Sequence, residues 1–171
     1  MADDTYTVTR SVSINAPADR IYTQIADFHN WPHWSPWEGL DPAMTRTYSR
    51  TYSGTESGVG AVYAWSGNRK AGQGRMEIVD AATPIAVTVD LLFEKPFKSH
   101  SESVLRIDPE SSGSRVTWTM TGRKTFATKV MGLVKSMDKL IGPDFDKGLN
   151  RLKSYTEQLT SHRAPTDGPL T

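Results

Sequence analysis

Polar and apolar residues alternate along most of this chain, and the pattern changes near its C-terminal end. The alternation in 5–14 and again in 44–123 has a period of two, which predicts β-strands. From Met137 onward apolar residues recur at helical spacing, namely Met137, Leu140, Ile141, Phe145, Leu149, Leu152 and Leu159. A lone amphipathic helix after many strands removes its apolar side from water by packing on the sheet. The pattern therefore predicts a sheet covered by the C-terminal helix.

A short helical region interrupts the strands after the first of them. Asn15 is expected to cap this helix, with Pro17 in its first turn, and the helical pattern ends at Asn30 and Pro32. The following segment, residues 31–37, contains three tryptophans and two prolines. We expect it to form a rigid aromatic connector rather than a regular helix.

Turns rich in glycine and proline divide residues 44–123 into successive strands. Alternation then predicts one shared buried face, formed by Tyr63, Trp65, Met76, Ile78, Val87, Val89, Leu91, Phe93, Leu105, Ile107, Val116, Trp118 and Met120. Asp90 falls on the opposite, solvated face. Ser101 and Ser103 share the parity of Leu105, so their hydroxyls should face the interior and need partners there. Those partners are a neighbouring segment or water in one interpretation, and a ligand in the other.

The final helix contains residues that interrupt a regular helix. Pro143 lacks an amide hydrogen, so we expect a kink there or a restart with Gly142 as the cap. Gly142 and Gly148 remove side-chain volume, either for close packing on the sheet or to leave room for a ligand. Residues 126–135 fit a loop or a helical segment equally well. Residues 162–171 lack periodicity and are expected to form a flexible tail after one domain spanning 1–161.

The length, charge and composition of the chain exclude several classes of function. The chain has 171 residues, which suits one core, and its net charge of +1 gives no electrostatic basis for binding nucleic acid. It has no cysteine, which excludes disulfides and thiolate chemistry. The N-terminus lacks the pattern of a signal peptide, and no apolar run is long enough to span a membrane. We therefore expect a cytoplasmic protein.

Familiar catalytic and cofactor-binding motifs are missing. The glycine pairs at 58–60 and 72–74 lie at hairpin positions without a following helix, so they are turns and not phosphate loops. His29 and His33 have the spacing of a metal pair, but Pro32 breaks the helix between them, and we interpret both as surface or packing residues. No serine lies in a nucleophile turn. The sequence therefore predicts no metal and no cofactor.

Several segments in a fixed order resemble a known family. They are the residues 15–22 with Trp34, the residues 58–68, 72–76 and 116–118, and the residues 137–139 with 144–149. Together they resemble the polyketide cyclase/dehydrase-like branch of the START-like, or SRPBCC, superfamily, over about residues 5–159. The resemblance implies an α+β helix-grip (Bet v 1-like) fold: a seven-stranded antiparallel sheet curved around a long C-terminal helix, with two short helices after the first strand. It also implies a deep hydrophobic cavity, but no particular reaction, because members of this superfamily carry lipids, sense hormones, activate chaperones or cyclise polyketides.

Three functional hypotheses remain. The first is binding of a small hydrophobic ligand, whether lipid-like, aromatic or polyketide-like, in a cavity between sheet and helix. The residues expected to line it are Trp34, Trp37, Tyr63, Trp65, Met76, Ile78, Val89, Leu91, Ser103, Leu105, Trp118, Met120, Met137, Ile141 and Phe145. The second is a cyclase or aromatase that uses the same cavity, and the third is a protein-binding module of the chaperone-activator type. A monomer and a homodimer both fit the sequence.

Overall fold

The computed structural model describes residues 4–38, 49–69, 72–124 and 136–162. The expectations for residues 126–135 and for the tail after His162 lie outside the described residues. The strands are β1 (Thr5–Ile14), β2 (Ser49–Gly54), β3 (Ala61–Ser66), β4 (Gln73–Ala82), β5 (Ala86–Lys95), β6 (Ser99–Glu110) and β7 (Gly113–Arg123). The helices are α1 (Ala18–Ala26), a 3-10 helix (Phe28–His33) and α2 (Met137–Ser161).

The strands form one antiparallel sheet of seven strands in the order β1-β7-β6-β5-β4-β3-β2. Each strand from β2 to β7 pairs with its neighbour in sequence, and β1 joins the free side of β7. An irregularity in β4 between Ile78 and Asp80 leaves Val79 unpaired and exposed. Bulges of this kind increase the local twist of a sheet. The α+β helix-grip architecture is confirmed.

Alternation along the strands correctly predicted which side chains face the helix. The inner residues of β3 to β7 are buried as expected, except Phe93, which is half-buried near the end of β5. Ser101 and Ser103 are buried on the same face. Asp90 lies on the outer face and contacts His100 there. A period of two is a local property of an extended chain, which explains why the sequence suffices for this prediction.

The helical region after β1 differs from the expectation in its cap. Pro17 is the N-cap of α1, in extended conformation and without a side-chain hydrogen bond, so the prediction of Asn15 as the cap is wrong. The backbone N–H of Asn15 instead donates to the carboxylate of Glu157 on α2, at 2.9 Å. The aromatic connector begins within the 3-10 helix and is tied to α1, because the indole N–H of Trp34 donates to the carbonyl of Gln24 at 3.1 Å.

Helix α2 is continuous from Met137 to Ser161, so a restart at Gly142 does not occur. The Ser136 hydroxyl accepts from the backbone N–H of Lys139 and caps the first turn. Pro143 lies in the second turn on the exposed side. The hydrogen bond that it removes leaves the carbonyl of Lys139 near water, which can replace the missing donor.

Arg10 of β1 anchors the first half of α2. Its guanidinium donates to Asp138 at 2.7 Å and to Asp146 at 3.2 Å, and it holds the pKa of the Asp138 carboxyl below its usual value. The arginine crosses the helix at Gly142, where a Cβ atom would lie 2.0 Å from Nη2. A Cβ at Gly148 would lie 2.8 Å from the Pro36 ring. Both glycines therefore serve close packing.

Burial along α2 predicts two different responses to the same substitution. Leu152 is fully buried against the sheet, whereas Leu159 is 42% exposed one turn from the helix end. Leu152→Ala should lower the free energy of unfolding by about 2–5 kcal/mol, and Leu159→Ala by less than about 0.5 kcal/mol. Urea unfolding followed by tryptophan fluorescence measures both. Equal losses would contradict the packing described here.

Candidate functional site

Five aromatic rings fill one end of the space between the sheet and α2. We call this set, Trp31, Trp34, Trp37, Trp118 and Phe145, the aromatic cluster. Trp118 of β7 stacks on Phe145 of α2 with ring centroids 4.0 Å apart and an interplanar angle of 7°. Trp34 and Trp37 meet Trp118 edge-on at 5.8 Å and 5.7 Å. Rings in these geometries attract beyond the burial of their area, so this end is closed by packing.

The cluster closes the region where β6 and β7 pass beneath the middle of α2. Its neighbours on the sheet are no more than 2% exposed: Val87, Leu105, Ile107, Val116 and Trp118. Phe145, Leu149 and Leu152 cover them from the helix and are equally enclosed. We call this region the closed end.

Toward the β5–β6 hairpin, the pairing of the strands places a different set of residues on the inner face of the sheet. One row of directly paired residues crosses the inner face of the whole sheet: Tyr52, Tyr63, Met76, Leu91, Ser101, Gly122 and Tyr6. The next row toward the closed end contains Ile78, Val89, Ser103, Met120 and Val8. The row beyond, toward the hairpin, contains Arg50, which forms an ion pair with Glu38, followed by Trp65, Gly74, Phe93 and Ser99. We call these three rows the open end.

Gly122 makes a slot in which the ring of Tyr6 lies across β7. A Cβ at Gly122 would be 2.6 Å from the Tyr6 hydroxyl, so no larger residue fits beneath the ring. The slot lets the hydroxyl of Tyr6 reach past β7 to the Ser101 side chain on β6, to which it is hydrogen-bonded. The same hydroxyl lies 4.0 Å from Sδ of Met120. Three strands thus bring one phenol and one serine together on an apolar face.

Burial raises the pKa of the Tyr6 phenol above its ordinary value of 10.0, and the hydrogen bond with Ser101 offsets part of that rise. Ser103 lies two residues along β6 from Ser101 and pairs with Met120. Ser103 is 4% exposed. Tyr6, Ser101 and Ser103 therefore give the open end three hydroxyl groups, each able to donate and to accept a hydrogen bond.

Aromatic side chains form the far wall of the open end. Trp65 lies over Gly74, where a Cβ would be 2.7 Å from the indole ring. Tyr63 stacks beside Trp65 with centroids 6.0 Å apart, and Phe93 meets the indole edge-on at 5.3 Å. Because Gly74 has no side chain, the indole rests directly on the strand.

Part of the open end is less completely enclosed than the sheet side of the closed end, although Val8, Ile78 and Val89 in the row next to the closed end are no more than 1% exposed. Tyr63, Trp65, Met76, Leu91 and Ser101 keep between 5% and 8% of their surface accessible. On the helix, Met137 and Ile141 are half-buried, although they belong to the same apolar stripe as Phe145.

A groove of about 590 Å³ begins at the rim of this region. Phe93, Ser99, Ser101 and Gly122 border it from the inner face, and its other borders include the charged or titratable residues Glu94, Lys98, His100, Glu102 and Arg123. The space between the sheet and α2 is thus closed by packing at one end, whereas some side chains at the other end keep accessible surface.

The inner face of the open end on β3 to β7 has no carboxylate, histidine, lysine or arginine. Arg10 faces α2 at the closed end, where two aspartates neutralise it. Nowhere in the described ranges do histidine, cysteine or carboxylate groups cluster as a metal site would require. His29 stacks on Tyr52 at 4.1 Å and His33 on Tyr155 at 4.5 Å, so the structure separates the two histidines into packing roles.

The structure distributes the residues predicted to line a cavity over both ends. Trp34, Trp37, Leu105, Trp118 and Phe145 lie at the closed end, while Tyr63, Trp65, Met76, Ile78, Val89, Leu91, Ser103 and Met120 lie at the open end. Met137 and Ile141 are half-buried against the core. Sequence reasoning missed Tyr6 and Gly122 as members of the site. Alternation places both on the inner face, but only the strand register shows that one lies across the other.

Comparison with known protein families shows which family the chain belongs to. The profile of the family described as "Polyketide cyclase / dehydrase and lipid transport" matches residues 5–157. The chain therefore belongs to this polyketide cyclase/dehydrase and lipid-transport family. No curated protein was found to match it. None of the helices in the described ranges has the length and apolar character needed to cross a membrane.

Solved structures share the fold at low identity. The di-domain ARO/CYC StfQ from the steffimycin biosynthetic pathway is similar with a TM-score of 0.68 and 10% identity, over 92% of this chain and 52% of that one. Norcoclaurine synthase from Thalictrum flavum is similar with a TM-score of 0.66 and 12% identity, over 91% and 96% of the two chains. A Thermobifida fusca protein solved by NMR is similar with a TM-score of 0.62 and 21% identity, over 90% of this chain and 94% of that one. These similarities define a Bet v 1-like fold.

The buried phenol predicts a pH dependence of stability. Because the pKa of Tyr6 is higher in the folded chain than its ordinary value of 10.0, the neutral phenol contributes stability that is complete below about pH 10. That contribution is lost as the pH rises through the raised pKa. The difference in unfolding free energy between the wild type and Tyr6→Phe should therefore decline as the pH rises above about 10. Urea unfolding at a series of pH values measures it, and a constant difference would contradict the burial of the hydroxyl.

Proposed function

We propose that this protein binds a small hydrophobic molecule at the open end, between α2 and the inner face of β3 to β7. The observation that supports this proposal is the unequal packing along one apolar interior. The aromatic cluster closes one end, while Met137, Ile141 and the facing sheet residues retain accessible surface at the other. Apolar surface that a fold leaves accessible gains free energy when a ligand covers it, about 25 cal/mol per Å².

The side chains of the open end favour a ligand with an apolar body. Met76, Leu91 and Met120 offer flexible or aliphatic contacts, and Trp65 with Tyr63 offers flat aromatic ones. Thioether and aromatic side chains adapt to ligands of different outline. The proposed floor of the site is the aromatic cluster, through Trp37, Trp118 and Phe145.

The same surface favours binding over catalysis. Cyclisation and dehydration of a polyketide need groups that accept and donate protons near neutral pH. On β3 to β7 the inner face of the open end offers hydroxyls but no carboxylate, histidine, lysine or arginine, and burial moves the pKa of Tyr6 further from neutrality. A cyclase-type enzyme remains the second candidate, because the family includes cyclases and the phenol of Tyr6 faces the same space.

Filling the open end should block the binding of an apolar dye. Leu91→Trp adds an indole opposite Ser101 and should raise the dissociation constant for 8-anilinonaphthalene-1-sulfonate at least about tenfold, because the site loses volume. Val79→Trp is the matched control, since Val79 lies on the outer side of β4 and is 44% exposed. It should leave the dissociation constant within about twofold. Dye fluorescence measures binding, and circular dichroism verifies folding.

Two results would refute the proposal. One is a wild-type protein that gives no saturable increase in dye fluorescence. The other is a Leu91→Trp variant that folds and binds the dye as well as the wild type. If Leu91→Trp does not fold, Met76→Phe tests the same volume from the neighbouring strand.

Native mass spectrometry of the freshly purified protein separates binding from catalysis. A co-purifying lipid or aromatic molecule that stays unchanged on prolonged incubation is the expected result for a binding protein. Conversion of a polyketide-like compound in substrate screening, abolished by Ser103→Ala, would establish the enzyme instead.

A further inference from the structure

A groove on the outer side of α2 is separate from the one at the rim of the open end. It has a volume of about 590 Å³ and is bordered by α2 and by His33 at the end of the 3-10 helix. Four of its polar side chains recur along α2 at spacings of three or four residues: Lys147, Arg151, Ser154 and Gln158. They share one helix face, and the buried residues of α2 occupy the opposite face. We call this site the outer groove.

Arg151 is held in the outer groove by the segment that follows the 3-10 helix. Its Nη1 donates to the carbonyl of Ser35 at 3.1 Å and to that of Glu38 at 3.5 Å, and it forms no other hydrogen bond within the described residues. The N–H groups of Nε and Nη2 therefore remain. They form the edge of a guanidinium that donates two parallel hydrogen bonds to a phosphate or a carboxylate. The two carbonyls thus fix the orientation of this edge without neutralising its charge.

The two cations of the outer groove differ from other basic side chains in having no carboxylate partner. Five other arginines each form an ion pair with a carboxylate: Arg10, Arg50, Arg75, Arg106 and Arg115. No ion pair within the described ranges includes Lys147 or Arg151. None of the described residues that line the groove is acidic. The outer groove therefore carries two positive charges that the chain does not neutralise.

The carboxylates near these cations along α2 do not compensate them. Asp146 accepts from Arg10 of β1 at 3.2 Å, and Glu157 accepts from Lys153 at 2.6 Å. The Lys153 ammonium also donates to a carbonyl of β1, so this pair lies on the β1 side of the helix. Asp144 forms no ion pair within the described ranges and does not line the groove. An anion in the groove therefore does not compete with a carboxylate of α2.

Neutral donors and two stacked rings complete the outer groove. Asn150, Ser154 and Gln158 line it with amide and hydroxyl groups that can donate hydrogen bonds. The ring of His33 stacks on that of Tyr155, with centroids 4.5 Å apart and an interplanar angle of 11°. A volume of about 590 Å³ exceeds that of a bare phosphate ion and falls in the range of sites for small organic ligands. A ligand with an anionic group at the cations has room for an organic part beside the rings.

We propose that the outer groove binds the phosphate group of a phosphate monoester. Arg151 donates to it from Nε and Nη2, Lys147 supplies the second positive charge, and the neutral side chains donate to the remaining oxygens. A phosphate monoester carries nearly two negative charges at neutral pH and so matches the two cations, whereas a carboxylate carries one. This site is additional to the open end and does not depend on the ligand bound there. A soluble phosphate ester and the headgroup of phosphatidic acid both have this chemistry.

Glycerol 3-phosphate is the soluble probe, titrated at constant ionic strength into the ¹⁵N-labelled full chain. The backbone amides of residues 147–158 should shift saturably in NMR spectra, with a Kd of about 1 mM or tighter. Lys147→Gln and Arg151→Gln should each raise this Kd at least about threefold, because each removes one of the two charges.

Lys139→Gln is the matched control for losing one positive charge from α2. Lys139 is exposed in the first turn of the helix, about 12 Å from Lys147 along the helix axis. Because solvent and salt screen charges over that distance, this variant should keep the Kd for glycerol 3-phosphate within about 1.5-fold of the wild type.

Vesicles distinguish the two sources of the phosphate group. Co-sedimentation is measured with phosphatidylcholine vesicles that contain or lack phosphatidic acid. Sedimentation only with phosphatidic acid, reduced in Lys147→Gln, supports the inference with a lipid headgroup as the ligand. Binding of glycerol 3-phosphate without sedimentation supports it with a soluble phosphate ester as the ligand.

Two results would overturn the inference. One is a wild-type protein that binds neither glycerol 3-phosphate nor the vesicles with phosphatidic acid. The other is binding that stays unchanged in both Lys147→Gln and Arg151→Gln. If Arg151→Gln does not fold, Lys147→Gln provides the test by itself, because Lys147 is exposed and forms no ion pair within the described ranges. Neither result bears on binding at the open end, which the apolar dye tests separately.

Discussion

The stacking of Trp118 on Phe145 is the contact on which the rest of the architecture depends. It joins the middle of β7 to α2 at a centroid distance of 4.0 Å, and Trp34 and Trp37 enclose it edge-on. The indole N–H of Trp118 has no hydrogen-bond partner in the described residues. Leaving a buried donor unpaired costs about 1–3 kcal/mol, so the gain from ring packing at this position must exceed that cost.

Small residues occur on the inner face at the open end, between the aromatic side chains of its outer strands. Glycines at 74 and 122 and serines at 101 and 103 occupy inner positions of the open end, where a uniformly packed core would carry larger residues. Arg10 and Gly142 hold the start of α2 close to β1. Met137 and Ile141 in this part of α2 are half-buried against the core. Apolar side chains with some accessible surface and several hydroxyl groups therefore occur together at the open end.

Membership of the family and likeness to Bet v 1-like structures establish the architecture, and the side chains of the open end decide its chemistry. An apolar face with hydroxyls and no carboxylate or histidine on β3 to β7 suits recognition more than proton transfer. In such a site a hydroxyl contributes mainly to orientation, because the apolar contacts supply most of the affinity.

The sequence by itself determined the elements and their faces. Alternation assigned the inner side chains of β3 to β7, and helical spacing placed α2 from Met137, because both periodicities depend on the local backbone alone. The contacts between residues far apart in the chain were decided only by the tertiary structure. Glu157 of α2 engages the backbone of Asn15 while Pro17 forms the cap, and the strand register lays Tyr6 over Gly122 beside Ser101. These contacts join residues far apart in the chain, and their distances arise only when the sheet and helix pack together.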